Sequence, residues 1–517
     1  MSEKEQLKQA IEYAVSAGYQ LDLEAFQFLS TIAEKENPTN LMEQAIKYLR
    51  DKGEKQVFIG KELLEKIAKE KVPSFFEEQE KVALAISETT VISQAKRRFK
   101  PLAREIPSKI KVIEDPTDKI SATGELEEYL EYFRDRFNRL RKILLQRMDT
   151  RDAVNSIRLA YSASPNTRLK IIGMITEKKE TKQKILLKIE DLDTSITVLV
   201  PRNASRQLME KARLLLHDQV ICVSAVKLRN NLLIAEDIIF PDIPQRTPKK
   251  ASEPLYAVLI SDLHVGSKTF LREEFRNFIL WLNGKYGNAK MREIAGQVKY
   301  LVVAGDIVDG IGVYPEQLKE LLIPDIYKQY ELASMFFEQI PDYIEVIVIP
   351  GNHDASRKAL PQPALSREYA EPLYEKRPLK MLGNPAVVEL HGVEFLLYHG
   401  RSIDDVVVSA PNISFQQPEK AMRLLLWCRH LAPIYGAKTP IAPETKDFLV
   451  IERIPDVFHS GHVHVMKYEN YRGTLLVNSG TWQEKTLFQE KMGLEPTPGI
   501  VPIVNLQTLE VQTISFI

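Results

Sequence analysis

The sequence predicts an α+β chain of several domains: a helical N-terminal segment, a small β-barrel, and a layered α/β domain that fills the C-terminal half. Three observations predict it. The length of 517 residues exceeds what one core usually serves. Helical periodicity in the first 70 residues gives way to five short alternating strands after Arg168. From Tyr256 onward, fully apolar runs alternate with amphipathic helices, as in strands covered on both faces.

Residues 1–70 read as a helical domain. Apolar residues recur at helical spacing in QLKQAIEYAVSA and LDLEAFQFLSTIAE, NPTN breaks the pattern, and Asn40 is the candidate cap of the next helix. Residues 71–150 read as a linker carrying one charged helix, Gly124 to Arg147. Pro, Lys and Glu scatter through its first part without a period. At its start, KEKVPSFF at 69–76 has the spacing of a sliding-clamp-binding box ending in Phe75 and Phe76, with Lys69 where a glutamine is usual. An amphipathic anchor is the plainer account of the same residues.

Residues 160–245 carry the strands LKIIGMIT, KILLKIED, SITVLVP, QVICVSAVKL and NLLIAEDIIF. The helix SRQLMEKARLLL falls between the third and fourth, which is the sequence order of an OB-fold barrel. Barrels that grip single strands stack bases on aromatics. Phe240 is the sole aromatic from Arg168 to Pro244, so a packing role is expected. The Pro-containing bridge IPQRTPKKASEP leads to the last domain, 254–517.

Five motifs in that domain each follow an apolar run: SDLH with Asp262 and His264, AGD with Asp306, GNHD with Asn352, His353 and Asp354, YHG with His399, and GHVH with His462 and His464. Ligands of α/β sheets gather beyond the carboxyl ends of strands. The i, i+2 pairs Asp262/His264 and His462/His464 would share a face on an extended segment. Imidazole with carboxylate suits manganese, iron, zinc or nickel better than magnesium or calcium. A metal pair needs a bridging carboxylate, for which Asp306 is the candidate. A lone buried histidine is ordinarily a core hydrogen-bonding group and a lone Asp after a strand a turn or cap. Here five of nine histidines fall in the joint set, which those readings do not explain. His217, His391, His430 and His459 keep the core reading.

Composition excludes little: 70 basic residues balance 70 acidic ones, so any anion binding is local. The two cysteines, Cys222 and Cys428, form no framework. The charged start MSEKEQLKQA and the lack of a long apolar run predict a cytoplasmic protein without membrane association. No GxxxxGK[ST] loop occurs, so ATP use is not implied.

The five motifs resemble those of the calcineurin-like, or Mre-type, metallophosphoesterases. The strings IEDPTDK, FRDRFNRLRKIL, IGMITEKKETK, LISDLHVGSKTF, GVYPEQ and NSGTWQEKTLFQ, with the preceding barrel, resemble the small subunits of archaeal D-family DNA polymerases, over roughly residues 110–517. The resemblance implies a four-layer α/β/β/α domain with two divalent metals, manganese first among them. One would be held by Asp262, His264, Asp306 and His464, the other by Asp306, Asn352, His399 and His462, with His353 as the catalytic imidazole and Asp354 a candidate to orient it. It implies a 3′–5′ proofreading exonuclease acting on single-stranded DNA 3′ ends, and a large catalytic subunit as partner. Two alternatives stay open: a catalytically silent scaffold subunit, and a phosphoesterase for a non-DNA substrate.

Overall fold

The computed structural model describes residues 99–228, 232–486, 489–490 and 493–517. Before residue 69 it describes 3–17, 19–21, 25, 28–30, 37–52, 58–60, 63–64 and 66–68. The KEKVPSFF segment lies outside the described residues. The chain divides into two units, Met1–Arg97 and Arg98–Ile517.

In the first unit, helices Glu3–Ser16 and Pro38–Lys52 bury residues spaced four apart, Ala10 with Ala14 and Leu41 with Ala45 and Leu49. Strands β1 (Gln20–Leu21) and β2 (Phe58–Ile59) form a short parallel pair. The second helix begins earlier than Asn40. Pro38 takes its first position, where a missing N–H costs nothing, and the Asn37 side chain accepts from Thr39 N at 3.0 Å.

The second unit opens with a departure from the linker expected over 71–150. Strand β3 (Ile110–Glu114) is built into a sheet, and helix Leu126–Leu145 buries Tyr132, Phe137, Leu140 and Leu144. The strand escapes a periodicity search because it is an edge strand, where exposed charge such as Lys111 protects against pairing with other chains.

Strands β4 (Arg168–Glu180), β5 (Lys184–Glu190), β6 (Ser195–Pro201), β7 (Val220–Lys227) and β8 (Leu232–Ile239) close a barrel in the order β4-β5-β6-β8-β7. Alternate residues such as Ile185, Leu187, Ile189, Ile196, Val198 and Val200 fill it. Helix Arg206–Arg213 lies between β6 and β7 in sequence and buries Leu208 and Ala212 in the same core. Phe240, just past β8, packs on Trp427 of the layered region, ring centroids 5.4 Å apart.

That region holds two six-stranded sheets. The first contains β9 (Tyr256–Ile260), β10 (Val298–Ala304), β11 (Glu345–Ile349), β12 (Lys380–Met381), β18 (Ile500–Asn505) and β19 (Val511–Ser515), in the order β12-β11-β10-β9-β18-β19, with β9 to β12 parallel. The second contains β13 (Ala386–Leu390), β14 (Val393–Leu397), β15 (Val457–Ser460), β16 (Lys467–Tyr471) and β17 (Thr474–Asn478) together with β3. Its order is β16-β17-β15-β14-β13-β3, with β14, β15 and β17 parallel. One core lies between the sheets: Ala257, Leu259 and Val302 from the first meet Phe395, Leu397 and Val477 from the second. The alternate residues Val258, Ile260, Leu301 and Val303 face helices Arg272–Leu282 and Ile326–Glu338. Helices Ile403–Ser409 and Pro418–Cys428 cover the outer face of the second sheet. Among the described residues, no helix is long and apolar enough to cross a membrane.

Candidate metal centre

Each candidate residue leaves the carboxyl end of a parallel strand: Asp262 and His264 after β9, Asp306 after β10, Asn352 and His353 after β11, His399 after β14, His462 and His464 after β15. The two sheets therefore deliver side chains to one place from opposite sides of the shared core. Three groupings converge closely enough to hold an ion: Asp262 with His264 and His464, Asp306 with His399 and His462, and His264 with Asp306 and His353.

The sequence argument for the i, i+2 pairs needs correction. Asp262, His264, Asp306, His462 and His464 all have positive φ, 53°, 52°, 53°, 70° and 63°. These are left-handed turns, not extended segments, and such backbone is unfavourable for residues with a Cβ. It persists because side-chain and backbone bonds hold it: His462 N donates to Asp262 Oδ2 at 2.9 Å, and His264 N to Asp306 O at 3.1 Å. Glycine is required where backbone meets the ligands. A Cβ on Gly351 would lie 2.1 Å from Asp306 Oδ1.

Hydrogen bonds orient the imidazoles. His399 Nδ1 donates to Ala304 O at 2.8 Å, which leaves Nε2 facing Asn352 Oδ1 at 3.0 Å and Asp306 Oδ2 at 3.3 Å. His264 Nδ1 donates to Asp309 Oδ1 at 3.0 Å, and its Nε2 lies 3.1 Å from His464 Nε2. His464 Nε2 is 3.4 Å from Asp262 Oδ1, an oxygen that is buried without a hydrogen-bond partner. An orphaned carboxylate oxygen beside two facing imidazole nitrogens suits a cation and little else. His353 Nδ1 donates to Asp309 O at 2.7 Å, which leaves its Nε2 free.

Charge follows this arrangement. Burial opposes ionisation of Asp306, yet His399 and His353 hold its carboxyl well below the ordinary range. Against burial, Asp306 lifts His399 to about 9, and Asp309 does the same for His264. Burial, with His264 adding to it, pushes His353 down to about 4. The ring is thus neutral at physiological pH in the protein alone, not the imidazolium that proton donation requires. Asp354 does not orient that ring. Its carboxylate accepts from Gly351 N at 2.9 Å, Ile307 N at 3.2 Å and the Tyr330 hydroxyl at 3.2 Å.

Three neighbours escaped sequence reasoning. Asp309 stands in the IVDG string directly after Asp306. Asp404, on the helix after His399, meets His462 Nε2 at 3.2 Å. Gln489 contacts His464 Nδ1 at 2.8 Å. Only Asp309 lay close enough to a motif to be suspected. His459, three residues before His462, stays a core residue, fully buried with Nε2 3.0 Å from Ser479 Oγ.

The model of the DNA polymerase alpha/epsilon B-subunit family matches residues 257–467. The chain is 45% identical over 395 residues to a DNA polymerase II small subunit of Archaeoglobus fulgidus, across 76% of this chain and 78% of that one. The chain belongs to the DNA polymerase II small-subunit family. Family members from Pyrococcus furiosus (43% identical, 75% of this chain and 64% of that one) and Methanothermobacter thermautotrophicus (42%, 76% and 80%) are similar along comparable spans. Among solved structures, an archaeal phosphodiesterase is similar at 16% identity and TM-score 0.27, over 50% of this chain and 99% of that one. A zinc-bound Vps29 from Entamoeba histolytica is similar at 11% identity and TM-score 0.24, over 51% of this chain and 100% of that one.

Proposed function

We propose that this chain is the accessory small subunit of an archaeal D-family DNA polymerase and its metal-dependent 3′–5′ exonuclease, partnered with the large catalytic subunit. The observation that carries the reading is the convergence of Asp262, His264, Asp306, Asn352, His399, His462 and His464 at the strand ends around the buried, unpartnered Asp262 Oδ1. One divalent cation would be held by Asp262, His264, Asp306 and His464, and a second by Asp306, Asn352, His399 and His462; manganese suits this mixed nitrogen and oxygen set. Such a pair supplies Lewis acidity, neutralising phosphodiester charge and acidifying a water.

The chain's own residues do the rest. Asp306 accepts from His353 N at 2.7 Å, which fixes the His353 loop to the carboxylate that would serve both cations. His353 keeps Nε2 open, and an anionic phosphodiester beside the ring raises its proton affinity. The ring, protonated at Nε2 from solvent, then supplies that proton to the leaving 3′-oxygen as a water oxygen, losing its own proton to solvent, bonds to phosphorus and the P–O3′ bond breaks. The barrel at β4 to β8 is read as an OB-fold that packs against protein more than it stacks bases, in keeping with Phe240 being turned onto Trp427. The KEKVPSFF segment remains a candidate sliding-clamp contact, tested by clamp binding after Phe75 and Phe76 are both made Ala.

Incubation of the purified chain with manganese and a labelled single strand tests the reading, alone and with the large subunit, with Asp306→Asn as the control. Stepwise shortening from the 3′ end that requires metal and is lost in the variant is the expected result. No hydrolysis in either setting returns the chain to a scaffold.

A further inference from the structure

Arg401 follows His399 by two residues, in the turn just before helix Ile403–Ser409 and its cap Ser402. Its Nε is buried without a partner, and among the described residues its guanidinium makes no ion pair or hydrogen bond. Other guanidiniums nearby have partners: Arg357 meets Glu444 at 2.8 Å, Arg453 meets Glu394 at 2.8 Å, and Arg429 donates to the carbonyls of Ile451 and Glu452, while Arg246 and Arg377 also bury an unpartnered Nε but bond through their terminal nitrogens, to Asp456 at 2.7 Å and to Pro341 O at 2.9 Å.

The surroundings place this free cation beside the centre. Arg401 lies three residues before Asp404, the carboxylate 3.2 Å from His462 Nε2. Lys358 comes from the loop after His353, and its Nζ donates to Asn352 O at 2.7 Å. Two cations from different loops thus stand beside the Asn352, His399 and His462 half of the centre, Arg401 two residues past His399 and Lys358 bonded to Asn352 O. The acids nearby are committed elsewhere: Asp404 to His462, Asp306 to His399 and His353 N, Asp354 to backbone amides. What the Arg401 guanidinium lacks is a hydrogen-bonded anion, and its fork matches two phosphate oxygens.

We propose that Arg401, assisted by Lys358, binds the phosphate adjacent to the one cleaved, so that the site selects a strand with consecutive phosphates over an isolated phosphodiester. The proposal rests on the exonuclease reading above and assigns to Arg401 the preference for a strand over an isolated phosphodiester.

The test uses the full chain, Arg401→Gln and Arg401→Lys, with three probes. They are bis(p-nitrophenyl) phosphate, a short single-stranded oligonucleotide, and the same oligonucleotide with a neutral methylphosphonate at the linkage next to the terminal one. In manganese, Arg401→Gln lowers kcat/KM for the natural oligonucleotide about tenfold more than for bis(p-nitrophenyl) phosphate, the scale of one charge-assisted contact. The methylphosphonate lowers wild-type activity by a similar factor but barely changes Arg401→Gln, and Arg401→Lys recovers part of the loss. Equal losses on all probes, or none, overturn the proposal. Fluorescence anisotropy of the labelled oligonucleotides provides a second readout without turnover. Wild type binds the natural strand more tightly than the methylphosphonate, and the glutamine variant does not discriminate. If wild type hydrolyses no probe, the phosphodiesterase reading falls, while the anisotropy comparison still decides whether Arg401 grips the neighbouring phosphate.

Discussion

His264 can turn Nε2 toward the centre only if its Nδ1 proton has an acceptor, and Asp309 is that acceptor at 3.0 Å. Asp309 also carries the backbone carbonyl that holds His353, so one residue sets two imidazoles. Asp309→Asn is expected to weaken manganese affinity about 10–100-fold, the usual effect of losing a group that orients a ligand. Calorimetric titration of the purified chain measures this, and unchanged affinity would show that the imidazole needs no such support. Asp306→Asn, which changes the carboxylate proposed to serve both cations, is expected to cost at least about 100-fold in the proposed hydrolysis with the far-ultraviolet spectrum retained. The histidines of this centre were legible because five motifs arrive jointly and each ends an apolar run. Asp404 and Gln489 were not, since nothing in the sequence says which distant helix or loop will pass a given imidazole. The left-handed turns at Asp262 and His462 were equally hidden, because the stabilising bond between them spans 200 residues.

At the scale of elements, period-2 alternation located the five barrel strands to within a residue or two at most ends, because one side of each strand must fill a closed interior. Leu187 on β5 is fully buried there, so Leu187→Ala is expected to destabilise the unit by about 2–5 kcal/mol, read from chemical denaturation. A smaller loss would mean that the barrel collapses onto the gap. Strand β3 was illegible for the opposite reason. Its register is set by pairing with β13 rather than by its own pattern, with Val112 opposite Val388 and Lys111 opposite Glu389. The helix Leu126–Leu145 showed itself by charge, and yet its buried residues include a charge as well, Arg136.

That arginine matters to the whole of the second unit. Arg136 Nε meets Asp447 Oδ2 at 2.9 Å, both fully buried, and Asp447 also receives His430 Nε2–H at 2.7 Å. The His430 tautomer is fixed, since its Nδ1 accepts from Ala432 N at 3.0 Å. Arg136→Ala leaves the buried Asp447 carboxylate without its cation and is expected to destabilise by about 3–5 kcal/mol. Burial, reinforced by Arg136, pushes His430 down to about 4 from an ordinary value of 6.5. The unfolded chain therefore binds this proton more readily. Stability from this group is complete above about pH 6.5 and drains away as pH falls toward 4. Urea midpoints at pH 7.5 and 5 should differ, and His430→Asn should narrow the difference; a difference that survives intact would assign it elsewhere.

The delivery of ligands by both sheets has a mechanical corollary. A cation gripped from β9 and β10 on one side and β14 and β15 on the other is a staple through the sandwich. At a concentration 100 times its dissociation constant, such a cation would add about 2.7 kcal/mol to cohesion. Chelation should lower the melting temperature, and a core substitution between the sheets, far from any phosphorus atom, should loosen metal binding in a way that excess manganese reverses.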